Sequence, residues 1–101
     1  MYLVQVLLPL YDGGGRKISK ARFGEVMKVL TARFGGVTAY VHAPAEGQWA
    51  RRGSVDRDQV ISVEVMSAKR DARWWKKYRK SLEKAFGQET IVVRLLRCEM
   101  L

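Results

Sequence analysis

Two stretches of this chain repeat their large apolar residues at helical spacing, and each is bracketed by segments patterned as strands. Phe23, Val26, Met27, Leu30 and Phe34 recur at i, i+3, i+4, i+7 and i+11, which is one face of an α-helix. Trp75, Tyr78, Leu82 and then Ala85 or Phe86 form a second such stripe, with Trp74 beside it. Between and around them lie four runs of strand character: residues 2–8, residues 37–42 (VTAYVH), residues 59–66 (QVISVEVM) and residues 90–97 (TIVVRLLR). The order is βαββαβ, two βαβ halves in weak pseudo-repeat. Right-handed crossovers admit one economical arrangement, an antiparallel four-stranded sheet in the order 4-1-3-2 with both helices on one face. That is the α+β, ferredoxin-like βαββαβ architecture.

Local signals agree with these limits. Pro9 and the run Asp12-Gly13-Gly14-Gly15 stop the first strand. Ser19 is placed to cap the first helix, with Ile18 and Phe23 spaced as a hydrophobic staple, and Gly35-Gly36 ends it. Asp71 or Ser67 caps the second helix and Gly87 terminates it. Residues 43–58, with Pro44, Gly47 and Gly53, read as a long basic connection between the middle strands.

A chain of 101 residues with 48% hydrophobic content fits a single domain spanning residues 1–101. A domain of this size removes about 60–65% of its unfolded surface from water, enough for one core without disulfide support. The lone Cys98 excludes a disulfide framework and any paired-cysteine zinc or redox motif. No apolar run reaches the ~18–20 residues that span a bilayer. Residues 2–10 are apolar but have no basic segment before them and no small-residue cleavage site after them, so they read as a buried strand rather than a leader. The expectation is a cytoplasmic protein with no membrane association.

Helices on one face leave the other side of the sheet uncovered. Alternation places Leu3, Gln5, Leu7, Thr38, Tyr40, His42, Ser62, Glu64, Val92, Arg94 and Leu96 there. That face is too apolar for water and too polar for a core, so a second copy packing sheet against sheet is expected, giving a homodimer. Gln5, Tyr40, His42, Glu64 and Arg94 would line a cavity between the sheets. Trp49 in the long connection would act as a lid or as an anchor on the partner. Tyr40, His42 and Glu64 are the candidates for acid–base chemistry, with Arg94 holding an anion. The competing reading pairs Glu64 with Arg94 across the interface as structure alone. His42 is the only histidine, so no familiar catalytic triad is complete, and neither a metal site nor a cofactor is expected.

Charge is concentrated. Residues 69–84 hold eight of the 19 basic residues and two of the ten acidic ones, and so supply +6 of the net +9. Arg73, Lys76, Lys77, Lys80 and Lys84 share the helix face opposite the apolar stripe, and Arg51, Arg52 and Arg57 add charge in the connection. Such a surface suits a nucleic-acid backbone or an acidic protein partner. An RNA-recognition module stacks bases on aromatics of its first and third strands, whereas the third strand here, VISVEV, has none. The Asp12-Gly-Gly-Gly-Arg-Lys17 run precedes a helix N-terminus but matches neither established phosphate-loop pattern, and reads as a surface loop.

The segments LVQVLLPLYDGGG, RFGGVTAYVHAPAEGQW and WWKKYRKSLEKAFGQETIVVR together resemble small uncharacterised bacterial proteins, over nearly the whole chain. At the level of fold the pattern is similar to the dimeric α/β-barrel group, which includes cofactor-free monooxygenases, isomerases, haem-degrading enzymes and ligand-sensing modules. The resemblance implies the fold and a dimer, and carries no activity with it. Three functions stay open. They are a non-enzymatic dimeric module binding a small ligand or protein, a small enzyme acting on a polar organic substrate, and sequence-independent nucleic-acid binding through the second helix.

Overall fold

A computed structural model describes residues 1–42 and 60–101. Its elements run β1 (Tyr2–Pro9), α1 (Lys20–Phe34), β2 (Thr38–His42), β3 (Val60–Ser67), α2 (Ala72–Ala85) and β4 (Val92–Arg97). The strands form one sheet in the order β2-β3-β1-β4, which is the expected order read from the other edge. All neighbours are antiparallel. The ferredoxin-like fold is therefore the fold of this chain.

Its core follows from the period-two pattern of the strands. Val4, Val6 and Leu8 of β1 and Val63 and Val65 of β3 point to the helix side and are buried. They meet Val26 and Leu30 of α1, Trp75 and Leu82 of α2, and Phe86 and Ile91 that follow it. α1 lies over β3 and α2 over β4. Where the two helices meet, Phe34 stacks on Trp75 with ring centroids 5.2 Å apart, and Trp74 stacks on Tyr78 at 4.8 Å.

The helix ends depart from expectation in one place. The Ser19 hydroxyl accepts from the Arg22 amide, and Gly35 closes α1 in the left-handed region at φ 81° that glycine adopts without a Cβ clash. Asp71 does stand at the N-cap of α2, itself left-handed at φ 47°, but its carboxylate makes no cap bond. It pairs instead with Arg33 at 3.4 Å, so the aspartate ties the two helices rather than capping one. The Ser67 hydroxyl is taken up by a turn with Lys69.

β4 also begins later than its β-branched sequence suggests. Ile91 is buried, and its amide donates to Glu83 Oε2 at 2.9 Å instead of to a sheet neighbour, so pairing begins at Val92.

Candidate functional site

The uncovered face of the sheet is ordered in rows, because antiparallel register sets residues of four strands side by side. One row runs Thr38, Glu64, Gln5, Arg94 across all four strands. The next runs Tyr40, Ser62, Leu7, Val92, and on the other side lie Met66, Leu3 and Leu96. The polar row is thus flanked by two largely apolar ones.

Gln5 organises the polar row. Its Nε2 donates to Glu64 Oε2 at 2.9 Å, which holds the carboxylate over β1. Glu64 and Arg94 sit on strands separated by β1, so their backbones are about 10 Å apart and the two do not form an ion pair within the chain. An anion acceptor and a carboxylate are therefore presented separately, with an amide between them. Gln5, Leu7, Tyr40, Val60, Ser62, Glu64 and Arg94 line one open depression of about 510 Å³. Of the site residues expected from the sequence, the fold brings Gln5, Tyr40, Glu64 and Arg94 together. His42 ends β2 in register with Val60, one row beyond Tyr40. Trp49, Arg51, Arg52 and Arg57 lie outside the described residues.

The rest of the face is apolar and open. Among the described residues, Tyr40 (48%), Met66 (38%), Val92 (44%) and Leu96 (44%) are the exposed large apolar residues away from the chain ends, and all four lie on this face. Met66 completes the third row. The alternation of residues 59–66 already put it with Glu64, so the signal was in the sequence.

The helix layer has the opposite character. Arg73, Lys76, Lys77, Lys80 and Lys84 are all exposed on α2, as the helical period required. Among the described residues, one strongly shifted proton site stands out, and it is here as well. Tyr78, between the two helices, has its phenol pushed up to about 12, first by burial and then by the nearby Glu25 carboxylate.

The glycine-rich loop is a built turn. Five consecutive amides are all engaged within the protein. Asp12 donates to the Arg16 carbonyl, Gly13 to the Gly87 carbonyl and Gly15 to the Asp12 carbonyl, while Gly14 and Arg16 both donate to Asp12 Oδ1. Amides spent in this way are not offered to a phosphate. Among the described residues no three potential ligand side chains come together as a metal site, and no helix is long and apolar enough to cross a membrane.

No protein-family model matches the chain, and no curated protein sequence matches it. Among solved structures it is similar to a phage SAM lyase in complex with S-methyl-5'-thioadenosine. The TM-score is 0.61 and the identity 11%, over 94% of this chain and 79% of that chain. The likeness is one of fold.

Proposed function

We propose that this protein is a homodimeric binding module in which two open sheet faces pack together and enclose a small polar, anionic ligand. The observation that carries the reading is the layout of the open face, with a polar row from Thr38 to Arg94 set between rows of exposed apolar residues. Apolar area of this kind marks an interaction surface. A two-fold axis through the face makes it self-complementary, because the apolar rows of the two copies cover one another. In the enclosed space Arg94 holds the anionic group, the Gln5–Glu64 pair supplies fixed acceptors, and Tyr40 supplies a ring edge and a hydroxyl.

Native mass spectrometry of protein purified gently from its host tests this reading. The expected species has twice the 11.6 kDa chain mass plus a small-molecule increment, and the increment disappears in Arg94→Ala while the dimer persists. A bare single chain at micromolar concentration contradicts the proposal.

A second reading is favoured by one comparison. The phage SAM lyase shows that an enzyme of different sequence is built on this fold. In that reading the same depression holds a substrate, with Glu64 moving a proton and Tyr40 assisting. Glu64→Gln then abolishes turnover while leaving ligand affinity within a few-fold, whereas a pure binding module has no turnover to lose.

A further inference from the structure

The sheet face leaves the net charge of the molecule unexplained. α1 carries four basic residues and one acidic residue, and α2 six and one, so the helix layer holds nearly all of the net +9. On α2 the cations Arg73, Lys77, Lys80 and Lys84 recur every three or four residues on the outward side, a line about 16 Å long at 1.5 Å per residue. None of them is in an ion pair among the described residues. The acidic side chains nearby are committed elsewhere. Asp71 is paired with Arg33, and Glu83 receives the Ile91 amide and sits 3.8 Å from Arg79.

Beside this line, on the flank toward β4, the chain forms a cleft of about 240 Å³ that Arg70, Lys76 and Arg79 approach from α2 and the turn before it. One donor belonging to a residue of the cleft, Trp75 Nε1, is buried with no acceptor among the described residues, and Arg79 Nε, also buried, has only the Glu83 carboxylate at 3.8 Å, beyond hydrogen-bond reach. Trp75 as a whole is only 4% exposed. A buried donor without a partner has lost its hydration and gained nothing in return. An anionic oxygen entering the cleft is the acceptor chemistry that three cations and the unpartnered Trp75 N–H call for.

We infer that the outer surface of α2, with the cleft against β4 as its anchor, binds the phosphate backbone of a nucleic acid without reading its sequence. The composition of this surface selects that partner over other polyanions. No exposed large apolar residue lies on α1 or α2, since all those among the described residues are on the open sheet or at the chain ends. A helix that lies in a membrane interface carries an apolar face into the lipid, and a protein interface has an aromatic or aliphatic centre. A row of cations with neither suits a regularly charged polymer. The surface is on the opposite side of the sheet from the depression around Gln5, so the two bind independently.

The test is fluorescence anisotropy with a labelled 20-nucleotide single strand and a 20-base-pair duplex in 50 to 200 mM salt. One phosphate contact from each of the five exposed cations of α2, Arg73, Lys76, Lys77, Lys80 and Lys84, predicts a slope of log K against log salt of about −4.5 for duplex and −3.5 for single strand, and a duplex affinity loss of roughly 500-fold over that range. Lys77→Glu with Lys80→Glu lowers affinity more than about tenfold and reduces the duplex slope to about −2.7. Arg70→Ala with Lys76→Ala weakens binding and lowers the slope in the same direction. Arg16→Glu with Lys17→Glu makes the same charge change at the glycine loop and leaves affinity within about threefold. Absence of binding in 50 mM salt, equal losses from the helix and loop pairs, or tighter binding to polyglutamate or anionic lipid vesicles would each overturn the inference.

Discussion

Leu96 gives the sharpest test of the open face, because it contributes little to the folded monomer and, on this account, much to the dimer. It lies in the row Met66, Leu3, Leu96 and is 44% exposed in the single chain. Full burial of a leucine side chain is worth about 1.5–3 kcal/mol, so covering the remaining surface contributes roughly 0.7–1.3 kcal/mol per copy. A two-fold interface contains the residue twice. Leu96→Ala therefore costs the dimer roughly 1.5–2.5 kcal/mol, a rise in its dissociation constant of about 10- to 70-fold. Leu96→Asp adds two carboxylates to the interface, each with a desolvation penalty of several kcal/mol, and leaves a monomer at micromolar concentration. Met100→Asp makes the same kind of change at a residue outside the strands, 71% exposed, and leaves association unchanged. Sedimentation velocity over a dilution series reads all three, with circular dichroism confirming that each variant is folded. If Leu96→Asp and the unaltered protein show the same mass at every concentration, the open face is not the interface.

Two glycines predict stability changes of opposite sign. A Cβ on Gly13 would lie 2.8 Å from the Gly87 carbonyl oxygen, which already accepts the Gly13 amide, so Gly13→Ala costs about 1–3 kcal/mol in urea unfolding. Gly24 stands within α1 with nothing within 4 Å of such a Cβ, and Gly24→Ala stabilises by about 0.5–1 kcal/mol. The Tyr78 phenol is raised in the folded state from 10.0 to about 12, so its contribution to stability is complete below pH 10 and is lost as pH rises toward 12. Urea midpoints from pH 9 to 12 should fall less steeply in Tyr78→Phe than in the unaltered protein, and parallel curves would refute the assignment. Gln5→Leu removes the bond that fixes Glu64, and isothermal titration with the recovered ligand should then show a several-fold weaker affinity with the dimer intact.

The fold and the open face were legible because both depend on short-range periodicity. Alternation in residues 59–66 was enough to separate Val63 and Val65 from Ser62 and Glu64, and the helical period of α2 put Lys77 and Lys80 outside and Leu82 inside. What sequence could not supply were contacts between distant residues. The Asp71 carboxylate leaves its own helix for Arg33, 38 positions away. The glycine loop is fixed by the carbonyl of Gly87, and the start of β4 by a carboxylate of α2. Arg70 and Arg79 look like ordinary members of a basic run until α2 settles over β4 and places them around one cleft. The Gln5–Glu64 bond joins residues 59 apart, and only antiparallel register makes them neighbours.

On the proposed reading, a second copy of the chain covers the open sheet face. Sedimentation equilibrium of the unaltered protein at low micromolar concentration measures this most directly. The expected molar mass is twice the 11.6 kDa of one chain, falling toward one chain only on strong dilution. A mass of 11.6 kDa across the whole range would contradict it and leave the exposed Tyr40, Met66, Val92 and Leu96 to a different partner.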